Sequence, residues 1–442
     1  MTREALSALL AGGAGASVDT RSLLPGEVFF GLAGAHAHGA TFARIALEKG
    51  ASAVVIPPDY ASDLPAEKIV CHEDPLQILQ EEAALHRQRF PNLHLIAIGG
   101  SNGKTTTRAL LSHILSRYTP TLATPKSWNN AIGIPLTLLK LRPEHRYAVI
   151  EVGDNHSGEV AFLTRLMRPT WGLITNVGLD HLEGYGSYET NLHTKWEIVE
   201  TLERFSPAPR LFLNAEDTGL KKLSDRTGLP VTFFGEGGEV TGEWRPLSWY
   251  RAEVRGLAYG EPFRVEVPLW GRFNRLNVLA AIAVARALQV PWATISEACA
   301  TFTTEWGRSQ VLEKRGQRII FDAYNANPSS LRASLESLWE MLGPGEKAGL
   351  ILGQMEELGD HASSAHHDIL NHLLENQSRI AGAALIGPLW RQAEPVISQA
   401  PLTCYESVRA FLTALPGWVG QVSVLYLKGS RRAALERILS EM

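Results

Sequence analysis

Residues His94 to Thr107, reading HLIAIGGSNGKTTT, constrain this chain more than any other stretch. A short apolar strand enters a glycine-rich turn, and a helix then opens on hydroxyl residues, with Leu110, Leu111, Ile114 and Leu115 repeating at helical spacing. Such a unit presents backbone amides and a helix N-terminus to an anion. Gly100 and Gly103 allow close approach, and Ser101, Asn102 and Thr106 complete the loop. Lys104 can reach the outer phosphates and the Thr105 hydroxyl can ligate magnesium, so the loop is expected to hold ATP. The usual phosphate loop has a glycine five residues before Gly103, where this chain has Ile98; the loop is the compressed form GxNGKTT.

Composition sets the frame around that loop. At 442 residues the chain predicts several domains, each with its own core. A net charge of -4 offers no basic excess for nucleic acid, which is not expected as a partner. Cys71, Cys299 and Cys404 stand far apart without a CxxC pair, as reduced thiols in a cytoplasm would, and are expected to be small buried hydrophobes. Met1 to Ala16 carries Glu4 beside a very short apolar run, which predicts an amphipathic helix rather than a leader. The most apolar later run, Val278 to Val290, is broken by Arg286 and too short for a bilayer, so no membrane association is expected.

Periodicity predicts an α/β chain of three domains: a small α/β domain over 1–90, a central phosphate-loop domain over 91–308, and a C-terminal Rossmann-like domain over 309–442. Strands are expected at 28–32 and 53–56, then at 95–98, 147–152, 171–175 and 210–213, then at 318–321, 348–352, 383–386 and 422–427. Helical segments between the central strands predict a largely parallel sheet covered on both faces, with ligands at the carboxyl ends of its strands.

The chemically suggestive residues fall at those ends. Glu151 closes the second central strand, where a further magnesium ligand is expected beside a phosphate loop. Asn129 and Asn130 offer both donors and acceptors, or form a plain asparagine turn. Asp19-Thr20-Arg21 reads equally as a side-chain-bonded turn or as a binding segment. His361, His366 and His367 read as a solvated helix start, with no metal.

Several stretches resemble the Mur ligase family: GSNGKTT; NNAIGIPL from Asn129; EVGDN from Glu151; NVGLDHLE from Asn176; KWEI from Lys195; GRFNRLN from Gly271; DAYNANPSS from Asp322; GQMEELG from Gly353; and KGSR from Lys428. The resemblance spans nearly the whole chain and implies an ATP-dependent, amide-forming enzyme of bacterial cell-wall synthesis. YNANP, with no DNPR stretch, points to the branch that joins D-Ala-D-Ala to UDP-N-acetylmuramoyl-tripeptide. The alternatives are a ligase adding one amino acid or a non-catalytic sugar-nucleotide-binding homologue; a guanine-nucleotide switch lacks its NKxD.

On the same resemblance, Thr20 and Arg21 approach the uridine nucleotide, and Asn129, Asn130, Asn325, Asn327 and Lys428 approach the reacting ends of the substrates. His181 binds a second magnesium, helped by a carbamylated Lys195; Asn274 borders adenine; Arg308 contacts the outer phosphates; Asp322 pairs with the ribose. Lys104, His181, Lys195 and Arg308 are thus the implied catalytic set. Asp154, Phe273 and Gln354 depart from the family pattern, Asp154 standing where a small residue is common. No interface signal is legible, and a monomer is expected.

Overall fold

The computed structural model describes residues 1–125, 128–391, 401–418 and 422–442. The chain forms three sheets in sequence order, of four, nine and six strands. The first is parallel throughout, ordered Ala16–Ser17, Val28–Phe30, Ala53–Ile56, Ile69–Cys71. The helix Arg3–Ala11, opened by the Thr2 side chain on the Ala5 amide, stands where an amphipathic first helix was expected. Leu6 and Leu10 are its buried face.

The middle sheet carries the phosphate loop. Its strands run Glu261–Val267, Arg251–Ala258, Val240–Ser248, Val231–Phe234, Arg210–Asn214, Trp171–Ile174, His94–Gly99, Tyr147–Glu151, Thr121–Ala123. The six neighbouring pairs from Val240–Ser248 onward are parallel; Val231–Phe234 and Val240–Ser248 follow each other without a helix and pair only at Phe234 and Val240. Helices Lys104–Tyr118, Asn274–Ala287 and Trp292–Ala300 cover one face, with Leu110, Ile114, Val278, Ile282 and Ile295 all inaccessible. The helices Pro75–Gln88 and Tyr188–Phe205 lie against the other.

The antiparallel meander Val240–Ser248, Arg251–Ala258, Glu261–Val267 was not expected from sequence. Its first strand is mostly exposed and contains Gly242 and Pro246, so the two-residue alternation that marks a half-buried strand is nearly erased.

The third sheet is ordered Gln310–Lys314, Gln317–Asp322, Val424–Lys428, Ala348–Gly353, Ile380–Ile386, Leu402–Tyr405, with only its first pair antiparallel. Its two faces bury separate apolar clusters, one around Leu335, Leu350 and Tyr426 and one around Phe321, Ile351 and Phe411.

Two expectations about single residues fail. Cys71, the last residue of an edge strand, is exposed and Cys404 is only half-buried, whereas Cys299 lies inside and burial pushes its thiol up to about 12. His366 is not solvated: it is fully buried, accepts the Met355 amide at 3.1 Å and meets the Trp390 ring edge-on. It sits one turn into the helix Ala362–Glu375, on the inward face, while His361 precedes that helix.

Candidate active site

At the carboxyl ends of the middle sheet, the phosphate loop opens onto a cavity of about 780 Å³. That is the size of an ordinary small-molecule site. Its wall joins the loop, Asn129, Asn130, Glu151, Asp154 and His181 to Arg308 and to Asp322, Asn325, Asn327 and Lys428 of the C-terminal lobe.

The loop conformation depends on two glycines. Gly100 (φ 126°) and Gly103 (φ 83°) lie in the left-handed region, and a Cβ on either would strike Thr175 Oγ1 or Asn277 Oδ1. Gly103 is the N-cap of Lys104–Tyr118, so that helix starts at Lys104 with its amides facing the cavity. The Lys104 ammonium is folded back on the carbonyls of Gly100 and, at 3.4 Å, Ser101.

Glu151 is aimed by its neighbours. Its carboxylate accepts from Asn129 Nδ2 at 3.0 Å and Thr105 Oγ1 at 3.2 Å, and the Arg108 guanidinium stands 3.8 Å from Oε2. Oε2 is buried and has no hydrogen-bond partner among the described residues. Arg308 donates to Thr105 Oγ1 at 3.0 Å while its guanidinium stacks on Tyr324 at 3.9 Å. Arginine, hydroxyl and carboxylate thus form a line along the cavity wall.

His181 occupies a left-handed conformation (φ 50°), uncommon for a residue with a side chain. It precedes the short helix Leu182–Tyr185, and its Nδ1 lies 2.6 Å from Glu357 Oε2 of the C-terminal lobe. The hydrogen bond from His181 is the main reason the Glu357 carboxyl stays below its ordinary range. Close by, Lys195 is inaccessible and pairs with Asp154, with Asp180 Oδ2 at 4.0 Å. Burial alone would raise Asp180, but Lys195 and then Lys104 outweigh it and hold the carboxyl below the usual range. Burial and then Asp154 push the Tyr185 hydroxyl up, so it remains a donor.

Asp322 ends the strand Gln317–Asp322 and is held by Lys428 Nζ at 2.6 Å and the Ser309 amide at 3.1 Å. Asn327 caps the helix Pro328–Met341 in a reciprocal capping box with Ser330. Its Nδ2 also donates to Asn102 Oδ1 at 2.8 Å, and Asn102 Nδ2 donates to Ser329 Oγ at 3.1 Å. Asn325 turns its Oδ1 to the next amide, Ala326. Asn130 likewise serves as a turn, accepting from the Ile132 and Gly133 amides.

Five residues singled out in the sequence are not part of the cavity wall, among them Gly100 and Lys195. Asn274 is buried behind it, its amide spent on the Trp270 carbonyl and the Asn277 side chain, while Phe273, Leu276 and Asn277 form the wall instead. Thr20, half-buried, and Arg21, exposed, lie in a turn, Arg21 forking onto its neighbour Asp19 and holding that carboxyl down at about 2. Conversely, Asp180, Tyr185, Arg108 and Glu357 were not singled out. The acid directly before His181 was the available signal for the first of them.

Comparison with known proteins bears on this arrangement. Residues 98–285 match the Mur ligase middle domain and residues 307–431 the domain described as Mur ligase, glutamate ligase domain. The UDP-N-acetylmuramoyl-tripeptide--D-alanyl-D-alanine ligase of Treponema pallidum is 32% identical, over 96% of this chain and 92% of the relative. The chain belongs to the Mur ligase family. The Escherichia coli ligase of the same name is 30% identical over the same shares of each chain. Among solved Mur ligases, MurF from Acinetobacter baumannii superposes with a TM-score of 0.85 at 28% identity, covering 96% of this chain and 92% of that one. MurF from Thermotoga maritima in complex with ADP gives 0.83 at 25% identity, covering 98% and 97%. This Mur ligase therefore has the three-domain α/β fold anticipated from its sequence. Among the described residues no helix is long and apolar enough to cross a membrane.

Proposed function

We propose that this Mur ligase joins D-Ala-D-Ala to UDP-N-acetylmuramoyl-tripeptide at the expense of ATP, making the amide through an acyl phosphate in peptidoglycan precursor synthesis. The observation that carries the reading is one cavity walled by both the phosphate loop and the DAYNANP segment, 218 residues later if counted from Lys104 to Asp322. Its relatives of 32% and 30% identity bear that activity as their names. The enzyme acts as a monomer in the bacterial cytoplasm, with domains divided near residues 91 and 309.

The terminal carboxylate of the tripeptide attacks the γ-phosphorus of ATP, ADP leaves, and the resulting acyl phosphate is attacked by the dipeptide amine with loss of phosphate. Gly100 to Thr106 hold the phosphates, and Lys104, unfolding from the loop carbonyls, neutralises charge that develops on the transferred group. Arg308 reaches the same group from the hinge between the lobes; its planar fork can keep Thr105 and take a phosphate oxygen. Asp322, oriented by Lys428, is placed for the ribose, and Asn277 with Leu276 borders the base in place of Asn274. Asn129 and Asn325 face the cavity for the peptide and the amine. Contact between lobes through Asn102 and Asn327 keeps water from the acyl phosphate.

Magnesium fits this wall. Thr105 and Glu151 supply hard oxygen donors, Glu151 Oε2 lacks a hydrogen-bond partner among the described residues, and His181 stands further along. Bound there, magnesium would lower the charge on the phosphates and polarise the transferred group. A carbamate on Lys195, as the resemblance implies, would add a carboxylate near Asp154 and Asp180, and no step is routed through it.

Phosphate release by purified protein given UDP-N-acetylmuramoyl-tripeptide, ATP and magnesium should depend on added D-Ala-D-Ala. Release indifferent to the dipeptide, or equally supported by single amino acids, would refute the assignment.

A further inference from the structure

Two charged residues beside the cavity have no part in the reaction above. Arg108, one turn beyond Lys104 on the helix Lys104–Tyr118, is only 5% exposed. Glu305 lies in the segment that leads from the helix Trp292–Ala300 to the strand Gln310–Lys314, the hinge between the middle and C-terminal lobes. Their side chains meet at 2.5 Å. Neither lines the cavity, whereas Thr105, Glu151 and Arg308 beside them all do. Anything the pair does for the reaction must therefore pass through those three.

The contacts close into a ring. Arg108 donates through Nη2 to Glu305 Oε1, and its Nε stands 3.8 Å from Glu151 Oε2. Glu151 Oε1 accepts from Thr105 at 3.2 Å, and Thr105 accepts from the Arg308 guanidinium at 3.0 Å. The Arg308 amide then donates to the Glu305 carbonyl at 3.1 Å and completes the circuit. Thr105 and Arg108 stand three residues apart on one helix, so a single helix face presents both attachment points.

The turn that carries Arg308 is otherwise fastened to the C-terminal lobe. The Gly307 carbonyl accepts from the Tyr324 amide at 3.2 Å, the Ser309 amide donates to Asp322 at 3.1 Å, and the Trp306 ring lies 4.8 Å from that of Phe321. Held by those contacts alone, the turn would travel with that lobe. The Arg108–Glu305 pair ties it back to the phosphate-loop helix, so the base of the Arg308 side chain is fixed relative to Thr105. A long side chain with a fixed base loses less freedom when it grips a ligand, and a misplacement of about 1 Å is enough to cost a phosphoryl-transfer site much of its rate.

Glu305 also settles the charge at Glu151. A guanidinium beside that carboxylate would compete with a divalent cation bound there. Here Arg108 has a nearer carboxylate of its own, at 2.5 Å against 3.8 Å, so one negative charge of the two acids is left for the cation.

We propose that Arg108 and Glu305 are positioning residues: the pair clamps the hinge turn to the phosphate-loop helix, so that Arg308 is aimed at the terminal phosphate of ATP while Glu151 stays available to magnesium. The inference rests on the reading of Arg308 given above.

Nucleotide binding without acid or amine tests it apart from the identity of the substrates. ADP and the non-hydrolysable ATP analogue AMP-PNP are titrated, with magnesium, into the wild type, Glu305→Gln, Arg108→Lys, Arg308→Ala and the double variant Glu305→Gln/Arg308→Ala, and followed by calorimetry. The preference for AMP-PNP over ADP should fall about fivefold in Glu305→Gln and in Arg108→Lys, with ADP affinity within about twofold of wild type. In the double variant it should match Arg308→Ala alone, because the clamp acts through that arginine. Losses that multiply in the double variant overturn the proposal, as does an unchanged preference in Glu305→Gln. Equal weakening of both nucleotides would make the pair merely structural and overturns it too. An unchanged preference in Arg308→Ala would overturn the reading of Arg308 and this proposal with it, leaving the dipeptide assignment to its own assay.

Discussion

The seam between the middle and C-terminal lobes has two sides built from opposite materials. Away from the cavity, Trp270 is 2% exposed within the C-terminal core and meets Phe273 and Tyr426 at ring distances of 6.0 and 6.1 Å. Trp249 packs against the same core beneath the Arg318 guanidinium. At the cavity the lobes touch through polar pairs: Asn102 with Asn327 and Ser329, and His181 with Glu357. Apolar burial is non-directional and survives small rotations, whereas a hydrogen bond is lost over about 1 Å and is worth roughly 0.5–1.5 kcal/mol net. On that difference the aromatic side would serve as a pivot and the polar side as a latch.

If that division is right, damage on the two sides should differ in kind. The largest effect is expected from Lys104→Ala, next to the latch: phosphate release should fall by at least about 10³-fold with the melting temperature little changed, because the ammonium touches only loop carbonyls. Substantial turnover in that variant would contradict the whole scheme. On the pivot side, Trp270→Ala should cost about 3–5 kcal/mol of stability by denaturant titration. A variant of wild-type stability would show that the aromatic side is not what holds the lobes.

Asn327 separates cap from latch. Asn327→Asp keeps an acceptor for the Ser330 amide but removes the donor to Asn102. It should leave stability near wild type and lower kcat about tenfold, the loss of one cross-lobe hydrogen bond. Asn327→Ala should add the loss of the cap, about 1 kcal/mol. Equal stability in the two variants would mean that the capping box contributes nothing measurable.

What could be read in the sequence follows from the same distinction. The phosphate loop, Glu151 and Asp322 were legible because each ends an apolar strand, and a strand end next to glycines or asparagines fixes a side chain's place without knowledge of the rest. The choice between Asn274 and Asn277 was not, because they stand one helical turn apart and only the packing of Asn274–Ala287 on Lys104–Tyr118 decides which reaches the loop. The Asp154–Lys195–Asp180 cluster was hidden for another reason. It assembles across a left-handed residue, His181, whose backbone no local pattern announces. The meander escaped because its exposed first strand carries no apolar alternation.

The smallest effect is expected far from the seam, at Arg21. Its guanidinium is spent on Asp19 two residues away, in a turn closed by the Ser22 amide on the Asp19 carbonyl, and 88% of the side chain is exposed. Exposed ion pairs add little, so Arg21→Ala should leave the melting temperature within about 1 °C. The informative quantity is KM for the uridine-diphosphate substrate. If the turn is only a turn, KM stays within about twofold of wild type, since truncating a solvated side chain that touches no ligand changes no binding contact. A tenfold rise with kcat unchanged would mean that the arginine leaves Asp19 to take a phosphate, as the family resemblance implies. The sugar-nucleotide would then be gripped from the first sheet, by a residue that must give up one carboxylate partner to gain another anion. That exchange would make the N-terminal domain a third moving part, with neither the aromatic pivot nor the polar latch of the seam between the other two.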